Sequence, residues 1–199
     1  GVGAGAIRRL ARADAFGSLG ISRQRAIWEA RVLRDAEMPL FDRVEEAVEP
    51  RPCLAPLTEH DEVTRDYRSV GLTLRTHPIG FVREALVARG VRPTRDLSDA
   101  GMTPAGARIA VAGLVLMRQR PSTASGIVFI TIEDETGIAN LIVRPDVYER
   151  YRRVARHSGT IIAHGKVERQ GIVVHVLVSR LERFTNTLAP VTSRSRDFH

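Results

Sequence analysis

The sequence predicts an α+β protein with a helical N-terminal half and a five-stranded β-barrel in its second half. In the first half, apolar residues recur at spacings of three and four, as in amphipathic helices. The second half instead has short β-branched runs separated by hairpin turns. One helical segment interrupts these runs after the third strand. The order strand, strand, strand, helix, strand, strand describes a small closed barrel of the OB type.

The predicted OB-fold domain covers residues 108–184. Its first three strands lie in the runs IAVAGLVLMRQRP and GIVFITIEDETGIANLIV, and the Glu-Thr-Gly turn at residues 135–137 makes the second run a hairpin. Pro145 suits the first turn of the helix, and Gly159 supplies its stop. The last two strands flank residues 168–171, which again have hairpin composition.

Four helices are predicted before the barrel. Residues 1–36 contain a helix pair, and Ser22 is the N-cap of its second member, which has Ile27 and Trp28 on its apolar side. Residues 58–107 form a helical connector, with one helix that opens at Thr58 and another that follows the sequence Thr-His-Pro. A Pro-rich linker, residues 37–57, lies between them, and residues 185–199 form a C-terminal tail. Because the chain starts without Met inside a helical pattern, we expect it to be part of a longer protein.

Composition favours a polyanionic partner. The formal net charge is +7, and among the 30 basic residues Lys166 is the only Lys. The single Cys53 excludes an internal disulfide framework, which agrees with a reducing cytoplasm. No segment reaches the roughly 18 apolar residues that a membrane helix needs, and we expect a cytoplasmic location.

The sequence offers no catalytic site. Its six His residues do not occur in metalloprotease or zinc-finger spacing. The acidic run at residues 133–135 and the pair Asp61 and Glu62 could hold a hard cation, but they also suit a turn and a helix start. We therefore predict no catalytic residue, no metal ligand and no cofactor in this chain.

The barrel contains candidate nucleic-acid contacts in the two loops and on the strand that OB folds use for binding. Phe129 alternates with Val128, Ile130 and Ile132, so it faces outward if those three fill the barrel. An exposed ring can stack on a base. The alternative is that Phe129 packs beneath a neighbouring loop. The basic candidates flank these elements and are Arg118, Arg120, Arg144, Lys166 and Arg169.

One partner-binding candidate lies in the linker. The stretch EMPLF places Leu40 and Phe41 in acidic surroundings, a form that a groove on a partner protein can capture. The alternative is that these two side chains pack on their own protein.

The residues resemble a known family, the bacterial C-family DNA polymerases, and within it the error-prone translesion type. RLARADAFGSLGISRQRAIWEA resembles the end of the helix-hairpin-helix region of that family, and VGLTLRTHPIGFVREAL resembles the helical lead into its OB domain. The stretch from VAGLVLMRQRP to PDVYERYRRV is similar to its OB motif. Replicative members usually have Ser-Gly-His-Pro where this chain has Arg-Thr-His77-Pro78, and they continue into a further domain, so both departures favour the error-prone branch.

The resemblance implies a non-catalytic C-terminal region of a polymerase that copies damaged DNA. The catalytic acids and their Mg²⁺ would lie elsewhere in the parent protein. The OB fold would bind single-stranded template DNA, and the partners would include accessory mutagenesis proteins and a sliding clamp, for which the Leu40 and Phe41 segment is a loosely similar binding peptide. Two alternatives remain open: an OB fold that docks proteins, and an OB module that binds a tRNA anticodon.

Overall fold

A computed structural model describes residues 1–33 and 54–184 with their side chains, and the backbone of residues 196–198. The predicted partner-binding residues Leu40 and Phe41 lie outside the described residues. Contacts divide the chain into two compact units, Gly1–Val70 and Gly71–His199. The domain boundaries predicted from the sequence remain predictions.

The N-terminal unit contains three described α-helices and a 3-10 helix, Gly17–Leu19. The α-helices are α1 (Ala4–Arg12), α2 (Arg23–Val32) and α3 (Glu59–Ser69). Both predicted N-caps are present: the Ser22 hydroxyl accepts a hydrogen bond from the Arg25 amide at 3.4 Å, and the Thr58 hydroxyl accepts one from the Asp61 amide at 3.2 Å. These side chains satisfy amide groups that would otherwise lack partners at the helix starts.

A buried arginine joins the helices of this unit. The side chain of Arg23 donates to the Glu62 carbonyl oxygen at 3.1 Å and to the Asp66 carboxylate, which connects α2 to α3. Small alanines allow α1 and α2 to approach each other, with Ala11 and Ala30 buried between them. By contrast Trp28, which we predicted on the apolar side of α2, keeps 40% of its surface exposed. Ion pairing and alanine packing therefore hold this unit together.

The C-terminal unit begins with short helices that cover one side of the barrel. The Nδ1 atom of His77 accepts a hydrogen bond from the Ile79 amide at 3.2 Å and caps a 3-10 helix, Pro78–Val82. Helix α4 (Arg83–Ala88) follows at once, and Gly90 then reverses the chain with a φ of +73°. A second 3-10 helix covers Thr94–Ser98. The segment predicted as one helix is therefore a 3-10 turn followed by a short α-helix.

The barrel follows the predicted order of five strands and confirms the α+β class with an OB fold. The strands are β1 (Arg108–Gln119), β2 (Val128–Asp134), β3 (Gly137–Val143), β4 (Thr160–Gln170) and β5 (Val173–Arg183). Strand β1 pairs with both β2 and β4, and β3 pairs with β5 in parallel, so the sheet closes on itself. Helices α5 (Pro145–Arg150) and α6 (Arg152–His157) connect β3 to β4, with a bend at Tyr151 within the single helix that we predicted.

A sixth strand extends the sheet beyond the predicted barrel. Strand β6 (Arg196–Phe198) pairs in parallel with residues 117–119 of β1. It lies in the segment that the sequence indicated only as a tail, because three residues are too few to show strand periodicity.

Two glycines permit the strand curvature. Strand β1 leaves β4 and joins β2 near Gly113, where a Cβ atom would lie 2.6 Å from the Glu133 carbonyl oxygen. Gly165 lies opposite a bulge in β5, where Ser179 is the extra residue, and a Cβ atom at Gly165 would overlap the Leu177 carbonyl oxygen. Only a residue without a side chain allows strands to approach this closely.

Candidate nucleic-acid interface

One outward row of side chains crosses the barrel from an aromatic ring to two cations. Register pairs Phe129 of β2 with Ile142 of β3, Ile142 with Leu177 of β5, Leu177 with Lys166 of β4, and Lys166 with Arg108 of β1. Side chains at paired positions share a face of the sheet. We call these five residues the Phe129 row. It provides a half-buried apolar strip with two exposed basic residues at one end.

The alternation predicted along β2 places Phe129 on the outer face of the barrel. Val128, Ile130 and Ile132 are buried in the barrel core at 3%, 1% and 0% exposure, whereas Phe129 is half-buried on the other face. The inward positions of β2 fill the barrel, so the ring of Phe129 is available on its outer surface.

A polar row lies beside the Phe129 row. Thr131, Asn140, His175 and Glu168 are in register on successive strands. The Thr131 hydroxyl donates to the Asn140 side-chain oxygen at 3.1 Å. The Nδ1 atom of His175 is buried without a hydrogen-bond partner in the described part of the chain. These groups can form hydrogen bonds to bases next to a stacked ring.

The cationic end of the Phe129 row opens into a cleft of about 620 Å³. Its described lining includes no carboxylate. The basic residues in the lining are Arg92, Arg108, Arg144, His164 and Lys166, of which Arg92 is already paired with Asp96 at 2.8 Å. The Leu177 and Val178 side of the bulge supplies an apolar wall. A basic cleft next to a stacking surface suits a phosphate that follows a base along a strand.

Arg120 lies in the loop after β1, beside the start of β2, where Gln119 pairs with Phe129. Its guanidinium lies 5.3 Å from the centroid of the Tyr148 ring, and the residue is exposed. The cation–π contact orients the guanidinium without neutralising it. Arg120 therefore remains available to an anion.

Two predicted site arginines have intramolecular partners. Arg118 donates to the carbonyl oxygens of Ala155 and Ser158 at the end of α6. Arg169 donates to the carbonyl oxygens of Leu97 at 2.8 Å and Thr103 at 2.9 Å. Both residues are half-buried. Through these hydrogen bonds their guanidinium groups fasten loops to the barrel.

The buried acidic residue of the β2–β3 hairpin binds other side chains of the protein. Asp134 accepts hydrogen bonds from Thr94 and from Thr136, and Arg83 pairs with it at 2.7 Å. Although burial opposes ionisation, the hydrogen bonds from Thr136 and Thr94 lower the pKa of Asp134.

In the part of the chain that the structure describes, no group of His, Cys, Asp and Glu side chains could hold a metal ion. That part also has no helix long and apolar enough to span a bilayer.

Sequence reasoning did not find the other members of the Phe129 row. Ile142, Leu177 and Arg108 lie on three other strands, and their alternation alone gives no reason to select them. Arg92 comes from the chain before the barrel. Only the strand register brings these residues beside Phe129 and Lys166.

The barrel is similar to a known class of domain. Residues 109–183 match the family model described as the OB-fold nucleic acid binding domain. The closed barrel agrees with that match, so this region has an OB fold.

The whole chain is similar to bacterial error-prone DNA polymerases, as the sequence resemblance predicts. It is 42% identical over 207 residues to error-prone DNA polymerase 1 of Agrobacterium fabrum, covering 100% of this chain and 19% of that protein. It is 40% identical over 231 residues to the error-prone DNA polymerase of Caulobacter vibrioides, covering 100% of this chain and 20% of that protein. It is 45% identical over 192 residues to the error-prone DNA polymerase of Anaeromyxobacter sp. (strain K), covering 96% of this chain and 16% of that protein. The chain therefore spans about a fifth of the length of these relatives.

Solved structures also show local similarity. Asparaginyl-tRNA synthetase from Pyrococcus horikoshii is 26% identical, with a TM-score of 0.33, over 39% of this chain and 20% of that one. An OBody bound to hen egg-white lysozyme is 14% identical, with a TM-score of 0.37, over 49% of this chain and 94% of that one.

Proposed function

We propose that the OB domain binds single-stranded template DNA within an error-prone DNA polymerase that copies damaged templates. The observation that carries the proposal is the Phe129 row, which joins a half-exposed ring to the cationic pair Lys166 and Arg108. The similarity to error-prone polymerases supports the cellular role, and the family match supports the nucleic-acid partner.

The row is suited to one strand rather than to a duplex. A base has to leave its stack before it can lie against the Phe129 ring, and stacking on one aromatic side chain contributes about 1–3 kcal/mol. The apolar strip of Ile142 and Leu177 continues the surface on which a neighbouring base can rest. Lys166, Arg108, Arg144 and Arg120 surround this strip and would pair with phosphates.

Fluorescence anisotropy with a labelled oligo(dT) strand, measured over a salt series, tests the proposal. We expect Phe129→Ala to weaken binding by about tenfold. The double substitution Lys166→Gln with Arg108→Gln removes two phosphate contacts and should reduce the slope of log K against log salt by about 1.4. Arg153→Gln is the matched control, because Arg153 is exposed on α6 outside the row and its cleft.

The same titration separates DNA from other ligands. Equal losses in the row variants and in Arg153→Gln would show nonspecific attraction and overturn the proposal. Absence of binding at low salt would also overturn it. Tighter binding to a ribose strand of the same sequence would favour the tRNA anticodon alternative, because the 2′-hydroxyl distinguishes RNA from DNA.

Exposed apolar residues support protein docking as a second candidate function. Ile172 is 98% exposed and Ile138 56% exposed, and both line a cleft at the hairpin end of the barrel. Exposed apolar side chains that lie together in one cleft can form a contact surface. In a pull-down with the accessory mutagenesis proteins or the sliding clamp, Ile138→Ser with Ile172→Ser should abolish capture while Lys166→Gln with Arg108→Gln preserves it. The reverse pattern would exclude docking through this surface.

A further inference from the structure

The polar row on the outer face of the barrel presents its hydrogen-bonding groups in a fixed order. Asn140 of β3 is in register with His175 of β5, and His175 is in register with Glu168 of β4. Asn140 and Glu168 are exposed, and His175 is half-buried. Each of these three lies two residues along its strand from a member of the Phe129 row, so they border the apolar strip on which a base can rest.

Asn140 presents a donor to a ligand. The Thr131 hydroxyl donates to its Oδ1 atom at 3.1 Å, which fixes the orientation of the side-chain amide. Among the described residues, the Nδ2 group of Asn140 has no acceptor. An amide nitrogen can only donate. Thr131 therefore holds the oxygen of this amide and leaves its N–H groups available.

The accessible nitrogen of His175 is also a donor. Its Nδ1 atom is buried without a hydrogen-bond partner in the described part of the chain, whereas Nε2 of the same ring is accessible. A buried N–H group without an acceptor is rarer than a buried acceptor without a donor, so the neutral ring carries its proton on Nε2. In the charged ring both nitrogens carry a proton. Nε2 therefore donates in either state.

Glu168 completes the row with an acceptor. A carboxylate at the surface accepts hydrogen bonds and donates none. In the chain as described, no basic side chain pairs with Glu168, so both of its oxygens are available. From β3 across β5 to β4, the row consequently offers a donor, a second donor and an acceptor.

Cytosine has the Watson–Crick edge that complements this order. Its O2 and N3 atoms accept hydrogen bonds, and its N4 amino group donates. Thymine and uracil instead present an acceptor, a donor and an acceptor. Adenine has no polar group at its C2 position, and guanine presents one acceptor followed by two donors. The row therefore matches cytosine at all three positions and each other base at fewer.

We propose that the polar row selects cytosine as the base that rests on the adjacent apolar strip. The Asn140 amide donates to O2, the His175 ring donates to N3, and the Glu168 carboxylate accepts from the N4 amino group. Thr131 is a positioning residue, because it acts through the Asn140 amide. The inference rests on the function proposed for the barrel, since the selected base belongs to the same bound strand.

Fluorescence anisotropy with labelled oligo(dC) and oligo(dU) of equal length, on the 199-residue chain, tests this preference. The two strands have the same backbone and ring size and differ only in the polar groups at N3 and C4. Phosphate contacts and ring stacking therefore cancel in the ratio of their dissociation constants. We expect the unmodified chain to bind oligo(dC) about tenfold more tightly than oligo(dU).

Two variants should abolish the preference. Glu168→Gln supplies an amide that can accept from N4 of cytosine or donate to O4 of uracil, so the ratio should fall to about two. His175→Phe keeps a ring but removes the donor to N3, and it should lower the ratio in the same way. Glu84→Gln is the matched control for the lost negative charge, because Glu84 is exposed on α4 outside both rows, and it should keep the ratio.

The ratio separates this inference from the proposal for the barrel. Asn140→Ala and Phe129→Ala should weaken binding to both strands and preserve the ratio, because O2 and the ring face are common to cytosine and uracil. Equal affinity of the unmodified chain for the two strands would overturn the base preference and leave DNA binding intact. A ratio that neither Glu168→Gln nor His175→Phe changes would overturn it as well. Absence of binding to both strands at low salt would overturn the two proposals together.

Discussion

Asp134 and Thr94 are joined by two hydrogen bonds across 40 residues of sequence. The Thr94 amide donates to one carboxylate oxygen of Asp134 at 2.8 Å, and the Thr94 hydroxyl donates to the other at 2.7 Å. Asp134 is only 3% exposed, and Arg83 of α4 pairs with the same carboxylate. This carboxylate therefore fastens the β2–β3 hairpin to the segment that precedes the barrel.

Asp134→Ala should destabilise the protein by about 1–3 kcal/mol, because it leaves the buried Thr94 amide without its acceptor, while Arg83 keeps its pairing with Glu135. Urea denaturation at neutral pH measures the change in the free energy of unfolding. Glu168→Gln is the control, since Glu168 is exposed on β4, and it should shift stability by less than about 0.5 kcal/mol. Equal stability of the two variants would contradict this role for Asp134.

The same carboxylate predicts an acid dependence of stability. Hydrogen bonds from Thr136 and Thr94 lower the pKa of Asp134 below its ordinary value of 3.8. Its contribution is complete above that ordinary value and is lost as the pH falls through the lower folded pKa. The stability difference between the unmodified chain and Asp134→Asn should therefore shrink below about pH 4. A constant difference across an acid titration would disprove the linkage.

We expect His77 to give stability a second pH dependence, at higher pH than that of Asp134. Burial lowers its pKa below the ordinary value of 6.5, although the carboxylates of Glu135 and Asp134 oppose this shift and Arg83 adds to it. A neutral folded His77 stabilises the protein above that ordinary value, and this contribution is lost as the pH falls. His77→Asn can keep the N-cap to Ile79 without titrating in this range, so its stability should change less between about pH 7 and 5. Parallel pH profiles for the two proteins would exclude His77 as the source.

Gly113→Ala should disrupt the barrel, because its new methyl group would lie 2.6 Å from the Glu133 carbonyl oxygen in the adjoining strand. Overpacking of this kind costs about 1–3 kcal/mol, and more where backbone has to move. Gly5→Ala in α1 is the control: nothing lies within 4 Å of its added Cβ atom, and alanine favours helix by about 1 kcal/mol. Thermal unfolding of both variants compares the two sites, and an unchanged melting temperature in Gly113→Ala would contradict the packing argument.

Arg169 and Lys166 lie three residues apart on β4 but should behave differently. Arg169→Ala removes donors to the carbonyl oxygens of Leu97 and Thr103 and should cost about 1–3 kcal/mol of stability. Lys166→Ala removes an exposed side chain and should change stability by less than about 0.5 kcal/mol while weakening DNA binding. Paired measurements of unfolding and oligo(dT) affinity distinguish the two roles. A stability loss in Lys166→Ala as large as that in Arg169→Ala would contradict the assignment.

The amino-acid sequence by itself determined the class of fold and the inward face of β2. Local signals sufficed: alternation placed Val128, Ile130 and Ile132 in the core, hairpin composition placed the turns, and Ser22 and Thr58 marked helix starts. The buried face, the turns and the helix starts each depend on residues a few positions apart in the chain. Hydrophobic periodicity and side-chain chemistry therefore predict them directly. The resemblance to error-prone polymerases was also carried by local motifs.

Tertiary structure alone decided which distant residues share a surface and which arginines already have hydrogen-bond partners within the protein. Register across four pairs of strands places Phe129, Ile142, Leu177, Lys166 and Arg108 in one row. Nothing in the sequence distinguishes Arg118 and Arg169, whose donors bind backbone carbonyls, from Arg120, which stays exposed. An arginine's role depends on the acceptors that the fold brings within about 3 Å of its guanidinium, and long-range packing determines those acceptors.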